Sequence, residues 1–259
     1  MKTLNLKIKN WKNYRVWIIG ASSGIGLSLS QELIKRGAFT FVTSRSIEPM
    51  LRLKEKHPKQ VEVLTADVTD DGKLQKVFEN ITQYHGGLDM VIYLAAKYRP
   101  MKLTQLDIEY SKKIVDVNLI GFLNVLSLVI PNFIKKQCGK IVVVSSVAGY
   151  RGLPNSLVYG ATKAALINLA ETMYSELRDS GIGVHLVNPG FVNTRLTSKN
   201  SFDMPMIIQP NEAAKKIILG LENGAFEIHF PKLFTIFVKF LRIVPYRIYF
   251  KVVGLLGKV

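Results

Sequence analysis

The sequence has almost no cysteine, few histidines and no acidic residue at either end. Cys138 is the one thiol among 259 residues, which excludes a disulfide framework, and the four histidines are scattered, so we predict no metal site. Neither Met1–Arg15 nor Ile228–Val259 contains an aspartate or a glutamate. Met1–Arg15 also lacks the continuous apolar run of a signal peptide, so we predict no secretory leader.

The charge of the chain is strongly positive, and most of it is terminal. Thirty-five lysines and arginines against nineteen aspartates and glutamates give a net charge of +16, and the two terminal segments contribute five and six bases. Such a charge fits nucleic acid, an acidic substrate or an anionic membrane surface. The sequence has no recognisable module that reads a nucleic-acid groove, so we predict no nucleic-acid partner.

The longest uncharged stretch is Val117–Ile134, which carries Asn118, Asn124, Pro131 and Asn132. Polar side chains and a proline inside such a segment are unfavourable in the core of a bilayer. We therefore predict a buried helix here rather than a membrane span.

Short β-rich apolar runs alternate with helix-length segments as far as residue 230. The predicted strands are Val16–Ile19, Phe39–Thr43, Val61–Thr65, Met90–Leu94, Ile141–Val144, Val184–Val187 and Ala225–His229. The predicted helices are Ile25–Arg36, Ile47–Lys56, Gly72–Tyr84, Leu106–Phe133, Val158–Ser180 and Asn211–Glu222. This alternation indicates a doubly wound α/β fold, with a seven-stranded parallel sheet and helices on both faces.

A glycine-rich turn follows the first strand. The segment Gly20-Ala21-Ser22-Ser23-Gly24-Ile25-Gly26 lies between a strand and a helix, which is the setting of a dinucleotide-binding loop. Glycines let the backbone approach a pyrophosphate, and the start of the helix offers free N–H groups and a positive dipole end. We therefore predict a Rossmann-type dinucleotide-binding and catalytic domain over residues 1–229, followed by a basic amphipathic tail over residues 230–259.

The residues after the second strand indicate which dinucleotide is bound. A carboxylate there would bond a ribose 2′-hydroxyl and repel a 2′-phosphate, but the chain has Arg45-Ser46 and no acid before Glu48. The planar guanidinium of Arg45 suits a phosphate, so we predict NADP(H) in preference to NAD(H). Asp67, after the third strand, is placed either to meet the adenine or to cap the next helix.

A candidate proton donor follows the fifth strand. The strand Ile141–Val144 ends in Ser145-Ser146, and Tyr159 and Lys163 come later, one helical turn apart on the same face. An ammonium beside a phenol favours the phenolate, so we expect Lys163 to lower the pKa of Tyr159 from its usual value of about 10. Tyr159 would then exchange protons near neutral pH, while a serine hydroxyl holds the oxygen of the substrate.

From about Tyr14 to Glu222 the chain resembles the short-chain dehydrogenase/reductase family in its single-domain form. The residues that carry the resemblance are Gly20, Gly24, Ile25, Gly26, Asp67, Asn118, Ser146, Tyr159, Lys163 and Asn188-Pro189-Gly190. The family pattern implies that Ser146, rather than Ser145, orients the carbonyl and that Tyr159 protonates the developing alkoxide. It also implies that Lys163 holds the nicotinamide ribose and that Asn118 anchors a water of a proton relay.

The motif and the resemblance together define the expected cofactor site. Its predicted residues are Gly20, Ser22, Ser23, Gly24, Ile25, Gly26, Arg45, Ser46, Asp67, Val68, Ala95, Ala96, Tyr159, Lys163, Pro189, Gly190, Val192 and Thr194. The chain departs from the family at Tyr93-Leu94-Ala95-Ala96, where Asn-Asn-Ala-Gly is usual. The asparagine pair that normally ties the fourth strand to its neighbours is therefore missing.

The resemblance implies an NADP(H)-dependent carbonyl reductase or alcohol dehydrogenase. Its pocket wall is expected at Tyr98–Leu103, Tyr150–Val158 and Phe191–Ile208. Family members commonly assemble through the helices that are here Leu106–Phe133 and the Tyr159 helix, so we expect a homodimer or homotetramer. Two alternatives remain, namely a catalytically weak, dinucleotide-binding regulatory protein and a membrane-surface adaptor.

The tail is basic and amphipathic. Lys232, Thr235, Lys239 and Arg242 recur at helical spacing with apolar residues around them, and Pro245 separates a second, similar piece. Such a tail can lie in a membrane interface, cover the substrate pocket or form a subunit contact. We expect a cytoplasmic protein, associated with the inner face of a membrane under the first interpretation, and an apolar tail near the site would suit a lipophilic substrate.

Overall fold

The computed structural model of the protein describes residues 3–200 and 204–256. Lys2, Lys258 and residues 201–203 of the expected pocket wall lie outside these ranges. The strands are β1 (Arg15–Ile19), β2 (Phe39–Thr43), β3 (Val61–Val63), β4 (Met90–Tyr93), β5 (Gly139–Val144), β6 (Ile182–Pro189) and β7 (Glu227–Phe230). The helices are α1 (Gly24–Lys35), α2 (Glu48–Lys56), α3 (Asp71–Tyr84), α4 (Ile108–Val115), α5 (Gly121–Lys136), α6 (Leu157–Leu177), α7 (Pro210–Glu222), α8 (Lys232–Phe240) and α9 (Tyr246–Leu256).

The seven strands form one parallel sheet in the order β3-β2-β1-β4-β5-β6-β7, which confirms the predicted fold. Side chains alternate between two buried clusters, so that Trp17 and Ile19 pack on one face and Val16 and Ile18 on the other. The chain winds outward from β1 to β3, returns to β4 beside β1, and continues to β7. Strand order therefore reverses between β1 and β4, and open α/β sheets bind ligands at such a reversal, beyond the carboxyl ends of the strands.

The predicted elements are present with shifted ends, but the helix predicted at Leu106–Phe133 is not uniform. A π-helical turn, Asp116–Ile120, joins α4 to α5. The phenol of Tyr93, at the end of β4, donates a hydrogen bond to the carbonyl oxygen of Val117 within this turn. A contact from another element thus accompanies the local change in helix geometry, which periodicity alone does not reveal.

The segment Ile108–Lys136 is long and apolar enough to cross a bilayer, and it is the one helix in the described ranges with that property. It packs on the sheet through Phe122, Val125, Val129 and Phe133, all of which are fully buried. A core helix of a globular domain satisfies the same criteria of length and composition.

The two basic ends of the chain lie at opposite ends of the parallel strands, the N-terminal arm at their amino ends and the tail at their carboxyl ends. The Asn5 side chain donates to the carbonyl oxygen of Val184 at 2.7 Å, near the start of β6. The tail instead follows the carboxyl end of β7, and Tyr249 of α9 donates to the carbonyl oxygen of Gly152, beyond the carboxyl end of β5. The N-terminal arm and the tail therefore do not share a surface.

Candidate active site

The glycine loop connects β1 to α1 at the carboxyl edge of the sheet. Gly20 has a φ of +95°, and its N–H donates to the carbonyl oxygen of Thr43 at 2.8 Å. A Cβ at Gly26 would lie 2.3 Å from the carbonyl oxygen of Gly20, so the turn requires glycine there. Ser23, the N-cap of α1, makes no side-chain capping bond, and the first turn carries no acid. The start of α1 is thus suited to bind a phosphate.

Arg45 and Asp67 come together beyond the ends of β2 and β3. Their side chains form an ion pair with 3.7 Å between Nη1 and Oδ2, and the Arg45 side chain is 67% exposed. Asp67 also accepts hydrogen bonds from the N–H and the hydroxyl of Thr69, at 3.0 and 2.9 Å. Asp70, by accepting from the N–H of Lys73, is the cap of α3. The alternative in which Asp67 caps that helix is therefore wrong.

The predicted catalytic side chains converge between β5 and α6. Ser146 lies near enough to Tyr159 to influence the pKa of its phenol, and Nζ of Lys163 lies 5.5 Å from the centre of the Tyr159 ring. Ser145 is buried and donates to the carbonyl oxygen of Lys163 at 2.7 Å, so its hydroxyl serves the fold. Lys163 in turn donates to the carbonyl oxygen of Val144 at 2.9 Å. Ser146, rather than Ser145, is thus the serine placed against Tyr159.

The expected lowering of the Tyr159 pKa is wrong in this structure. Burial raises the pKa of Tyr159 above its usual value, and the polar side chain of Ser146 opposes only part of that effect. Burial also lowers the pKa of Lys163 to about 7, because its hydrogen-bond acceptor is a backbone carbonyl and not a carboxylate. Desolvation thus disfavours the charged form of each residue. Tyr159 is therefore a neutral phenol at physiological pH.

Asn118 lies in the π-helical turn, behind the residues that line the cleft, and its side chain bonds to two neighbouring segments. Its amide oxygen accepts from the N–H of Lys97 at 2.7 Å, and its amide nitrogen donates to the carbonyl oxygen of Lys97 at 3.1 Å and the hydroxyl of Thr162 at 3.0 Å. These bonds fasten the segment after β4 to α6. The water relay implied by the family resemblance stays a prediction.

The glycine loop and the Tyr159 cluster border one cleft of about 830 Å³. Every predicted cofactor residue lines it, and of the four predicted catalytic residues only Asn118 does not. The expected wall segments contribute Tyr98, Leu153–Ser156 and residues near Phe191. Tyr98 packs edge-on against Tyr159, with 4.7 Å between ring centres. No sequence motif identifies Tyr98 as a neighbour of Tyr159, because this contact depends on how the loop after β4 folds.

The tail supplies another part of the cleft wall. Phe234, Phe237, Val238 and Leu241 line the cleft, and the ring of Phe234 lies 5.5 Å from that of Phe191. The amphipathic spacing of the tail predicts that one face is buried, but the sequence does not specify against which surface. The structure identifies that surface as the wall of the cleft beside Phe191.

The basic stripe predicted along the tail does not form a continuous outward face. Thr235 is fully buried, donates to the carbonyl oxygen of Pro231 and contacts His229 at 2.6 Å. Lys239 forms an ion pair with Glu227 of β7. Because Thr235 and Lys239 bond to His229 and Glu227, they face the domain, and the apolar side chains next to them face solvent.

Arg151 fixes the corner between α8 and α9. Its guanidinium donates to the carbonyl oxygens of Leu241 and Val244, the latter at 2.7 Å. It also lies over the rings of Tyr246 and Tyr249, 4.7 and 3.9 Å from their centres. The tail is thus attached to the segment that leads into the Tyr159 helix.

The cleft fits a nicotinamide dinucleotide at its pyrophosphate end. The close approach of Gly26 to Gly20 and the uncapped start of α1 are the features that such a phosphate needs. Ser22 and Ser44, whose hydroxyls lie 2.8 Å apart, add polar groups beside them. The fold and this site together define a Rossmann-type, NAD(P)-dependent oxidoreductase.

The chain belongs to the short-chain dehydrogenase family, whose model matches residues 15–204. It is 32% identical over 238 residues to an uncharacterized oxidoreductase of Myxococcus xanthus, covering 90% of this chain and 94% of that one. It is 33% identical over 185 residues to the 3-oxoacyl-(acyl-carrier-protein) reductase of Thermotoga maritima, covering 70% and 75% of the two chains.

Solved structures share the fold closely. A short-chain dehydrogenase from Streptomyces avermitilis superposes with a TM-score of 0.81 at 19% identity, covering 95% of this chain and 98% of that one. The structure of ElxO with NADP bound superposes with a TM-score of 0.75 at 25% identity, covering 85% and 99%. The family and enzyme class expected from the sequence are therefore confirmed.

Proposed function

We propose that the protein is an NADP(H)-dependent reductase of a lipophilic ketone or aldehyde. The observation that carries this proposal is the convergence of Ser146, Tyr159 and Lys163 on the cleft that the glycine loop also borders. The relative that reduces a 3-oxoacyl group and the ElxO structure with NADP bound are consistent with it.

The chain's own residues would bind the carbonyl and supply the proton. A bound nicotinamide supplies the hydride that the carbonyl carbon accepts. The hydroxyl of Ser146 donates a hydrogen bond to the carbonyl oxygen, and the phenol of Tyr159 delivers its proton to that oxygen as negative charge develops. Lys163 would hold the nicotinamide ribose and, in its ammonium form, would stabilise the phenolate that remains.

The apolar wall supports a lipophilic substrate. Phe191, Phe234, Val238 and Leu241 border the cleft beyond Tyr159. Burying an apolar chain against such a wall is favourable by about 25 cal/mol per Å² of surface removed from water. Longer carbonyl compounds are therefore expected to have lower KM values than short ones.

The Tyr159→Phe variant tests the proposed reaction. We expect NADPH oxidation with a long-chain ketone or aldehyde to fall at least about 10²-fold, because the proton donor is removed while the ring remains. NADPH binding, followed by its fluorescence, should be retained. Equal turnover in both proteins would contradict the role of Tyr159, and binding without turnover in the wild type would favour the regulatory alternative.

Arg45 is the proposed determinant of the preference for NADP(H). Its guanidinium is exposed beyond the carboxyl end of β2, so it would be available to bind a 2′-phosphate. We expect Arg45→Gln to lower kcat/KM for NADPH about 10- to 100-fold while that for NADH changes little, since charged hydrogen bonds contribute about 1.5–3 kcal/mol. Arg52→Gln, an exposed site on α2, is the matched control. An equal loss with both cofactors would contradict this assignment.

A further inference from the structure

The helix α8 has two apolar faces with different surroundings. Its inner face, with Phe234, Val238 and Leu241, lines the cleft. Its outer face carries large apolar side chains that contact little of the domain, and Leu233 and Ile236 are 71% and 55% exposed. One helix therefore separates the substrate end of the cleft from the outside of the molecule.

The outer face continues through the corner into α9. We call this surface the tail patch, and it consists of the exposed side chains of Leu233, Ile236, Phe240, Ile243, Tyr246 and Phe250. Isolated apolar residues on a protein surface need no explanation, but a contiguous group of this kind marks a surface that is covered by something else.

The charges around the tail patch specify the kind of surface that it fits. Lys232, Arg242, Arg247 and Lys251 are exposed beside it. The last acidic residue of the chain is Glu227, which is already paired with Lys239. Large aromatic and aliphatic side chains flanked only by bases are complementary to an anionic lipid interface, where the apolar groups enter and the bases meet phosphates.

A second copy of the chain is a poorer occupant of the same patch. A two-fold contact would place Arg242, Arg247 and Lys251 of one copy near the same bases of the other. The tail has no acidic side chain to compensate them. Like charges brought together in this way oppose association.

We propose that the tail patch lies in the interface of an anionic phospholipid bilayer and that apolar substrate passes from the lipid into the cleft beside α8. The second half of this statement rests on the proposed reductase function, whereas the first does not. A helix with its side chains is about 10–12 Å across, so the lipid surface and the cleft lie only that far apart. The tail is then both an anchor and a pocket wall.

Vesicle flotation with purified full-length protein tests the membrane contact. The probe is vesicles of phosphatidylcholine and phosphatidylglycerol at seven to three, compared with phosphatidylcholine alone. We expect binding to the anionic vesicles, and at least tenfold weaker binding for Ile236→Ser/Phe240→Ser/Ile243→Ser, whose side chains are exposed and do not line the cleft. Arg242→Gln/Arg247→Gln/Lys251→Gln should lose most of the preference for anionic lipid.

The matched control is Leu4→Ser/Leu6→Ser/Leu219→Ser, which removes three exposed apolar side chains away from the tail. It should bind vesicles as the wild type does. No binding by the wild type, or an equal loss in the two triple variants, would overturn the proposal. So would a mass in light scattering that falls for the tail variant without lipid, because the patch would then be a contact between copies.

NADPH oxidation separates the membrane contact from the reductase function. With a short, water-soluble aldehyde, the tail variant and the wild type should turn over equally. With a long-chain ketone carried in anionic vesicles, the rate of the tail variant should fall at least fivefold. Equal rates on the vesicle-borne ketone would overturn the substrate route, whereas no turnover of either substrate by the wild type would refute the proposed function and leave the flotation result standing.

Discussion

Lys163 is enclosed at the active site, and its ammonium donates to a backbone carbonyl. Burial lowers its pKa in the folded protein to about 7, while in the unfolded chain it stays near 10.5. At pH values between these two pKa values, Lys163 is protonated in more of the unfolded chains than of the folded ones. The free energy of unfolding therefore gains a contribution from this group as the pH rises through that range.

The comparison of Lys163→Met with the wild type measures this contribution. We expect the difference in unfolding free energy, wild type minus variant, to rise by up to about 1.4 kcal/mol per pH unit between pH 7.5 and 9.5. Denaturant titrations of both cofactor-free proteins give the slope, and tyrosine titration largely cancels in the difference. A flat difference would show that the folded protein keeps this amine charged.

At the scale of elements, Tyr93 replaces the missing asparagine tie at the end of β4. Its side chain is almost fully buried, and its phenol reaches the π-helical turn that contains Asn118. A Cβ at Gly121 would lie 2.6 Å from the phenol oxygen, so the glycine leaves room for this contact. The fourth strand is thus tied to the helix beside it through a tyrosine.

The Tyr93→Phe variant should be less stable by about 1–3 kcal/mol, because the carbonyl of Val117 loses its partner inside the protein. Tyr174→Phe is the control, since it removes a similar hydrogen bond, to the carbonyl oxygen of Leu4, that is exposed to solvent. Thermal or denaturant unfolding measures the stability of both variants. The free energy of unfolding of the control should change by less than about 0.5 kcal/mol. Equal effects would mean that the Tyr93 bond has no special role.

Local sequence patterns predict the sheet and the nucleotide loop because the residues that form each of these features are neighbours in the sequence. The glycine loop, the Tyr159–Lys163 turn and the alternating strands each lie within one short segment. The protonation of Tyr159 and the position of α8 are different, since they depend on burial and on contacts between residues distant in the chain. Glu227 and Lys239, for example, are paired only because α8 folds back over β7.

At the scale of the whole molecule, the apolar surface of α4 and α5 is distinct from the tail patch. Ile108, Ile120, Leu123 and Ile134 are exposed on the side of these helices that faces away from the sheet. This surface has carboxylates nearby, such as Glu109 and Asp116, and so lacks the single sign of charge found in the tail. We expect it to be the contact between subunits.

The Leu123→Glu variant should therefore reduce the molar mass in solution from that of an oligomer to the 29.1 kDa of one chain. A carboxylate at a half-exposed site is tolerated in the monomer but is costly in an apolar interface. Light scattering after gel filtration measures the mass, with Phe240→Glu in the tail as the control that keeps the oligomer. If Phe240→Glu lowered the mass and Leu123→Glu did not, the contact between subunits would lie at the tail.

The attachment of the tail by Arg151 also bears on how chain truncation would behave. A protein ending before α8 would leave the guanidinium of Arg151 without its two carbonyl acceptors and Glu227 without Lys239. It would also open Phe191 and the adjoining part of the cleft to water. Loss of turnover after such a deletion would then reflect a dismantled pocket, so single exposed side chains are the better probes of this region.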